Sequence, residues 1–297
     1  MTTVDEVQVG TTPQAIREHY DLSDDFYALW LDRDMVYSCA LFDGSDDLHD
    51  AQMRKLDHHI AEAHAAGAAR VLDIGCGWGA LLRRLAGTGV GSAVGLTLSR
   101  TQAARIARDA VAGTSVRLEA WQDHRPAEPY DAIISIGAFE HFATRDMSDE
   151  RRLAAYRQFF AFCRRNLRPG GRISLQTIAY VNPGKTTDTF VPTTIFRESE
   201  LPYASEILRA SELHFEIAAL RNDRFHYLKT CRLWAARLAA RREKAVELVG
   251  EEATRNYERY LAIAAAAFKT GALGLLRMTL VAIGPATPAH KAPDHPR

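Results

Sequence analysis

Two stretches of the sequence combine residue types that can bind a ligand and support chemistry on it. The first, residues 19–42, reads HYDLSDDFYALWLDRDMVYSCALF and interleaves aromatic rings with aspartates around Cys39. A buried segment would have to find partners for these carboxylates, and a surface segment would expose the rings. The mixture is typical of a pocket wall, where rings supply shape and a few polar groups fix the orientation of the ligand.

The second stretch, residues 71–79, is a glycine loop that reads VLDIGCGWG. Glycines allow a tight turn and let the backbone approach a ligand closely. The spacing is G-x-G-x-G, with Asp73 two residues before the first glycine. A dinucleotide fingerprint is G-x-G-x-x-G with an acid about 20 residues further on, but the next strand ends in GLTLS without one. A nicotinamide cofactor is therefore disfavoured, whereas a turn needed only for packing stays open.

The elements that must position these two stretches follow from the apolar spacing. We predict helices over 13–31, 48–66, 99–112, 148–167, 199–212, 226–248 and 251–270, and strands over 69–74, 90–96, 115–120, 131–136, 172–179, 214–220 and 274–283. Ser99 is the predicted N-cap of its helix. Strands that alternate with helices indicate an α/β domain whose mostly parallel sheet has helices on both faces. Residues 182–198 are polar and interrupt the alternation.

Composition excludes several classes of protein. The 297 residues carry no formal net charge, which argues against a nucleic-acid binder that depends on phosphate contacts. The four cysteines are far apart and show no metal-ligand spacing, so we expect free thiols in a reducing cytoplasm and no metal. The first residues lack a basic stretch followed by an apolar one, so we expect no signal peptide, and no apolar run reaches about 20 residues, the length of a membrane span. The nearest such run is interrupted by Arg277.

The motif DxGxGxG resembles motif I of class I S-adenosylmethionine methyltransferases. In that light, residues 19–42 look like the N-terminal signature of cyclopropane fatty acid synthases and mycolic acid cyclopropane synthases. The match continues in order through GLTLSRTQ (95–102), SIGAFEHF (135–142), LRPGGRISLQTI (167–178) and FHYLKTCRLW (225–234). The resemblance implies a class I methyltransferase (Rossmann-like) fold with a seven-stranded, mostly parallel sheet. It implies one domain over 1–285, divided into a helical cap (1–66), a cofactor-binding half (67–181), an inserted lid and substrate region (182–225) and C-terminal helices with the last strand (226–285), before a disordered tail (286–297).

The resemblance also implies which residues hold S-adenosylmethionine. The implied contacts, from the methionine end to the adenine, are Tyr37, Ser38, Asp73, Gly75, Gly77, Thr97, Gln102, Trp121 and Gln122. Thr97 and Gln102 would lie near the ribose, where the second strand lacks an acid. Trp121 would lie against the adenine, although without the resemblance a core aromatic residue explains it equally well.

The chemistry implied is attack of an alkene on the methyl group of the cofactor, followed by ring closure with loss of a proton. In the family a bound bicarbonate acts as the base, and the residues at its binding positions here are Cys39, Glu140, Gln176, Ile178 and Tyr227. Gln176 stands where the family has histidine, and glutamine cannot titrate, so bicarbonate is only a conditional expectation. Aromatic rings near the cation would be Tyr20, Phe142 and Tyr227, and His226 would lie in the substrate pocket.

Two departures bear on the acceptor. The segment between 178 and 195 is short, and residues 197–199 replace the glycines of the family's IFPGG motif. Both features, with Gln176, motivate an alternative function as a small-molecule C- or N-methyltransferase. A non-catalytic cofactor-binding protein is a third hypothesis. The leading expectation is transfer to an alkene of a soluble or carrier-bound acyl chain, with acyl carrier protein as a partner, no nucleic acid, no stable membrane insertion and the oligomeric state open.

Overall fold

The computed structural model describes residues 23–182 and 198–284. Tyr20, residues 183–197 of the predicted lid region and the predicted tail lie outside these ranges. The strands are β1 (Arg70–Ile74), β2 (Ser92–Thr97), β3 (Thr114–Leu118), β4 (Tyr130–Ile136), β5 (Leu167–Tyr180), β6 (Phe215–Asn222) and β7 (Leu273–Ala282). They form one sheet in the order β3-β2-β1-β4-β5-β7-β6. Neighbours from β3 to β5 pair in parallel, and β7 runs antiparallel to β5 and β6, which confirms the predicted seven-stranded, mostly parallel sheet.

Helices connect and flank these strands. They are α1 (Asp24–Ala28), α2 (Leu48–Glu62), α3 (Ala80–Ala86), α4 (Arg100–Arg108), α5 (Asp149–Asn166), α6 (Ala204–Ser211), α7 (Arg224–Ala239) and α8 (Arg242–Thr270), with a single 3-10 turn at Phe139–His141. Separate apolar clusters fill the two sides of the sheet. Within the ranges described, no helix has both the length and the apolar character needed to cross a membrane.

The carboxyl ends of the parallel strands meet at one edge of the sheet, where open α/β sheets bind their ligands. The glycine loop follows β1, and Ser99 follows β2 as the helix N-cap, its Oγ accepting from the Gln102 N–H at 3.3 Å. After β4 the chain turns at Gly137, whose N–H donates to the Gln176 carbonyl at 2.9 Å. The predicted cap on α4 is thus confirmed, although the helix ends at Arg108, before residue 112.

Several predicted boundaries are wrong. In the described part of 13–31, only α1 is helical, and the chain then turns irregularly towards residue 47. The helix predicted from 199 begins at Ala204, because the residue before Pro202 is disfavoured in helical conformation and Tyr180 and Tyr203 instead form a bridge. The helix pair 226–248 and 251–270 breaks at 240–241, where no glycine or proline marks it. Gly250, the predicted break, is a kink inside α8 with φ +83°.

Aromatic side chains join the N-terminal segment, residues 23–42, to the C-terminal helices α7 and α8. We call this segment the cap. Trp30 packs edge-to-face on Trp234 with ring centroids 5.6 Å apart, and the Tyr27 and Tyr257 hydroxyls are 2.7 Å apart. Trp30, Tyr27 and Trp234 are fully buried. The rings of Tyr27 and Trp30 therefore hold the cap on α7 and α8.

Candidate active site

A cavity of about 610 Å³ lies between the cap and the carboxyl edge of the sheet. This volume is within the roughly 300–1,000 Å³ of ligand pockets. All nine residues predicted to contact the cofactor line it: Tyr37, Ser38, Asp73, Gly75, Gly77, Thr97, Gln102, Trp121 and Gln122. Residues from the cap and from the ends of three strands thus meet around one space.

The glycine loop forms the floor of this cavity. Gly75 has φ +82°, and a Cβ placed there would lie 2.5 Å from the Ala138 Cβ, so no larger residue fits. Gly77 also has a positive φ, of +52°, but a Cβ there would meet nothing within 4 Å. Its backbone borders open space, which a ligand can approach closely. A turn needed only for packing would explain the glycine at 75 but not the glycine at 77. The loop therefore has a role beyond packing.

Two buried ionisable residues, Asp73 and Lys55, line the cavity. Asp73 lies in the buried run of β1, and its Oδ2 accepts no hydrogen bond from any described residue. Burial raises the pKa of Asp73 to about 7, although the positive charge of Lys55 opposes the shift. Lys55, on α2, is 1% exposed. Burial lowers the pKa of its ammonium to about 7.

The far part of the cavity is flat and aromatic. The Trp121 indole is 6% exposed and packs edge-to-face on Phe159 at 5.5 Å, and its Nε1 has no hydrogen-bond partner in the described part of the chain. Beside it, the Thr97 hydroxyl donates to Gln102 Oε1 at 2.7 Å. The planar Trp121 indole suits stacking on a nucleobase, and the Thr97 hydroxyl and Gln102 amide suit hydrogen bonds to a sugar.

A second cavity, of about 80 Å³, lies on the other side of the cap's Tyr37–Ser38 segment. The two cavities share Tyr37, Ser38, Gly137 and His141 as a common wall. The rest of the second cavity is mostly apolar and aromatic, with Ile178, Leu201, Tyr227, Cys231, Tyr260, Ala264, Phe268, Leu273 and Leu275. A group at the shared wall can therefore reach both a polar site and an apolar one.

Glu140 is the acid of the second cavity. It sits in the 3-10 turn after β4, and its Oε1 accepts from the Ile178 N–H at 2.7 Å. Its Oε2 is buried and has no hydrogen-bond donor among the described residues. Burial raises the pKa of Glu140 to about 7, against the lowering effect of the Ile178 hydrogen bond. One oxygen therefore fixes the carboxyl group, and the other is left to act as acceptor or base.

Gln176 presents its amide NH₂ group to the second cavity. Its Oε1 is turned away and lies 2.9 Å from Arg277 Nε and 3.3 Å from His59 Nε2. Burial, helped by the nearby Arg277 charge, lowers the pKa of His59 well below its usual value, so the ring is neutral. Because the Gln176 oxygen only accepts, Nε2 carries the proton and Nδ1 accepts from the Ser174 hydroxyl at 2.7 Å. Two donors thus fix the orientation of the amide.

Cys39 and Tyr227 differ in their relation to this cavity. Tyr227 lines it and stacks on Phe268 at 4.5 Å, and burial raises the pKa of its phenol well above the usual value. Cys39 lines neither cavity; its thiol donates to the Ala40 carbonyl at 3.2 Å. Burial raises the pKa of Cys39 to about 12. It is a thiol, not a thiolate, at neutral pH.

The predicted substrate residues separate in the structure. Phe142 lines the large cavity and not the second one. His226 lines neither, and its Nδ1 accepts from the Phe42 N–H at 2.9 Å. Tyr20 lies outside the described residues. Ser199, from the altered 197–199 segment, lines the second cavity with its Oγ 2.8 Å from His141 Nδ1.

Sequence reasoning missed Lys55, His141 and Arg277. Lys55 falls on the face of α2 that also buries Leu48, Ala51, Gln52, Leu56, His59 and Ile60, so its helical spacing from the apolar residues of that face is the available signal. His141 is on the shared wall, and burial lowers its pKa to about 4. Arg277 was recognised as a charge within an apolar strand, but its partner could not be read from the sequence.

Comparison with known proteins gives one consistent result. The family model described as mycolic acid cyclopropane synthetase matches residues 8–278. Cyclopropane mycolic acid synthase MmaA2 of Mycobacterium tuberculosis is 33% identical over 285 residues, which is 89% of this chain and 96% of that protein. Hydroxymycolate synthase MmaA4 of the same species is 33% identical over 278 residues, or 87% and 89% of the two chains. The solved structure of mycolic acid cyclopropane synthase CmaA1, complexed with SAH and CTAB, superposes with a TM-score of 0.82 at 32% identity, covering 92% of this chain and 99% of that one.

We predict that Glu140 exchanges its proton near pH 7. The carboxyl C=O infrared band of the acid form should disappear with a midpoint near 7, because burial disfavours the charged form. The measurement is the infrared difference between the wild-type chain and Glu140→Gln during a pH titration, which removes the signal of Asp73. A midpoint near 4.5, the ordinary value, would contradict the burial of this carboxyl group.

Proposed function

The chain belongs to the mycolic acid cyclopropane synthetase family, and we propose that it transfers one carbon from S-adenosylmethionine to an alkene carbon of an acyl chain. The protein is an S-adenosylmethionine-dependent methyltransferase of the cyclopropane synthase type. The observation that carries the proposal is the wall shared by the two cavities. One cavity has the residues for the cofactor, and the other combines apolar lining with a single available carboxylate oxygen.

The large cavity fits the cofactor on several independent points. Its volume suits a nucleoside joined to an amino acid, the Asp73 Oδ2 awaits a donor, and the Gly77 backbone borders open space. We assign Tyr37, Ser38 and Asp73 to the methionine end. Gly75 and Gly77 form the loop around it, Thr97 and Gln102 bind the ribose, and Trp121 and Gln122 bind the adenine. When bound, the cofactor supplies an electrophilic methyl group.

The reaction needs two bonds to form on the acceptor. The alkene π electrons take the methyl group, the sulfur leaves as a neutral thioether, and positive charge remains on the neighbouring carbon of the acceptor. Loss of a proton from the new methyl group then closes the ring. We assign that proton to the Glu140 Oε2, directly or through an anion that Glu140 and its neighbours hold. Loss of a proton elsewhere on the acceptor would leave a methyl branch.

Aromatic faces beside the second cavity can stabilise the positive charge. Tyr227, Tyr260 and Phe268 line it, and a cation over an aromatic face is stabilised by roughly 0.5–2 kcal/mol. Tyr227 remains neutral because burial raises the pKa of its phenol. The apolar lining also keeps out water that would otherwise capture the cation.

A bicarbonate site can form here with a different set of donors from the one that the resemblance implies. Two donors at the five expected bicarbonate positions, the Cys39 S–H and the Ile178 N–H, are engaged with Ala40 and Glu140. We propose that the anion is held by the Gln176 amide and the Tyr227 hydroxyl. The amide donates in one fixed direction because Arg277 and His59 hold its oxygen. A neutral donor holds an anion less strongly than a charged imidazole does.

The apolar lining of the second cavity supports an acyl acceptor, free or joined to a carrier protein. The four cysteines are buried free thiols, which fits the cytoplasm. The small volume of the second cavity in the described residues favours a second candidate, a C- or N-methyltransferase for small molecules.

Product analysis distinguishes the two functions. An acyl substrate with one cis double bond should gain 14 mass units and lose its double bond, because a methylene bridges both alkene carbons. Mass spectrometry and the alkene proton signals in NMR measure this after incubation with S-adenosylmethionine. An amine substrate that gains the same mass, while the alkene is untouched, would support the second candidate and exclude the first.

Glu140→Gln should lose activity without losing cofactor. Proton acceptance contributes roughly 10²–10⁴-fold, so we expect turnover to fall at least about 100-fold while the Kd for S-adenosylmethionine changes by less than about threefold. Steady-state assays and calorimetric titration measure the two quantities. Glu252→Gln, an exposed glutamate, is the matched control. Unchanged turnover in Glu140→Gln would refute the role of this carboxylate.

Bicarbonate dependence tests the modified anion site. In buffer purged of CO₂ we expect turnover to fall and to recover with millimolar bicarbonate, whereas chloride at equal ionic strength should not restore it. Gln176→Leu, which lacks the amide donor, should lose the response to bicarbonate. If the wild-type rate is the same with and without bicarbonate, Glu140 itself is the base and the anion proposal is wrong.

A further inference from the structure

Lys55 is a buried cation without a carboxylate partner. It is 1% exposed, and it forms no ion pair with any described residue. Its Nζ donates to the Ser38 Oγ at 2.8 Å, the one acceptor it reaches in residues 23–182 and 198–284. An ammonium group has three donors, and burying it without compensation is costly. A cation buried on the inner face of α2 with a single acceptor calls for a ligand that carries negative charge.

The position of Lys55 restricts where that ligand lies. Lys55 and Ser38 both line the large cavity, and Ser38, which accepts the Lys55 hydrogen bond, also lines the second cavity. Gln52, one turn earlier on α2, fixes the cap backbone here, since its Nε2 donates to the Ser38 carbonyl at 2.8 Å. The Lys55 ammonium is therefore held at the cavity between α2, which carries it, and the cap, whose Ser38 accepts its hydrogen bond.

Asp73 provides the complementary half of the arrangement. It lines the same cavity, and its buried Oδ2 receives no hydrogen bond from the described residues. The inner end of the cavity thus offers one unused anionic acceptor and one incompletely used cationic donor. An α-amino acid carries an ammonium and a carboxylate on one carbon, so it satisfies both.

We propose that Lys55 binds the α-carboxylate of the cofactor's methionine end, with Asp73 as the acceptor for the α-ammonium. This inference rests on the proposed function only for the identity of the cofactor. Burial shifts the pKa of Lys55 down and that of Asp73 up, in each case to about 7. Both shifts are expected of groups that await an oppositely charged ligand, because each loses the stabilisation of its charged form.

The experiment compares two ligands that differ only at the carboxylate. Calorimetric titration of the full chain, without acceptor, measures the Kd of S-adenosylmethionine and of decarboxylated S-adenosylmethionine. The variants are Lys55→Met, which keeps the length and removes the charge, and Lys244→Met, an exposed lysine on α8 as the matched control. Circular dichroism and thermal unfolding verify that each variant is folded.

In Lys55→Met we expect the affinity for S-adenosylmethionine to fall about 10- to 100-fold, the range for a hydrogen bond to a charged group. The affinity for the decarboxylated ligand should change by less than about threefold. The wild-type preference for the carboxylate-bearing ligand should disappear. Lys244→Met should retain both affinities.

Other results would overturn the inference. Equal losses for both ligands would mean that Lys55 only supports Ser38, and no loss for either would mean that it does not face the cofactor. If Lys55→Met fails to fold, the wild-type Kd values for the two ligands still test the inference. Equal Kd values would exclude recognition of the carboxylate. Failure of the wild type to bind either ligand would overturn the cofactor assignment as well, whereas binding without turnover would affect only the reaction.

Discussion

The buried guanidinium of Arg277 joins the cap, strands β5 and β7 and the residue before α7 at the reacting side of the site. It lies on β7, pairs with Asp223 before α7, and donates to the carbonyls of Cys39 and Ala40 in the cap. Through its Nε it also holds the Gln176 oxygen on β5, its direct neighbour in the strand register. Removing one member of a buried pair leaves an uncompensated charge, at a cost of roughly 3–5 kcal/mol. The cap, the antiparallel end of the sheet and the amide of Gln176 are therefore fixed together.

Because Arg277 fixes the cap, a polar cavity and an apolar cavity can lie on the two sides of one wall, formed by Tyr37, Ser38, Gly137 and His141. Hydrogen bonds from the Arg277 guanidinium to the carbonyls of Cys39 and Ala40 hold the cap on one side, and Gln52 on α2 holds the Tyr37–Ser38 segment on the other. The polar cavity can then hold a charged cofactor a single wall away from an apolar one. Glu140 is available at that wall because, among residues 23–182 and 198–284, a donor reaches only one of its oxygens. The chemistry depends on this separation, because a cation on the acceptor survives only where water is absent.

Local patterns made most of the fold and the cofactor cavity predictable. The alternation of strands and helices, the glycine loop and the Ser99 cap are each encoded within a few residues, and parallel strand ends necessarily meet at one edge. The unpredicted features depend on contacts distant in sequence. Arg277 and Gln176 are 101 residues apart and meet only through the register of β5 and β7. Lys55 becomes significant only because its face of α2 is buried, and that burial depends on the packing of distant segments. Cys39 kept the family's residue type, yet its thiol is turned to Ala40.

The central claim is that the cofactor's sulfur lies at the shared wall, within reach of the second cavity. A crystal structure of the chain with bound S-adenosylhomocysteine tests this most directly. The account predicts the sulfur beside Tyr37 and Gly137, with the side that would carry the methyl group facing the Glu140 Oε2. A sulfur that faces solvent, or one separated from the second cavity by the cap, would contradict it.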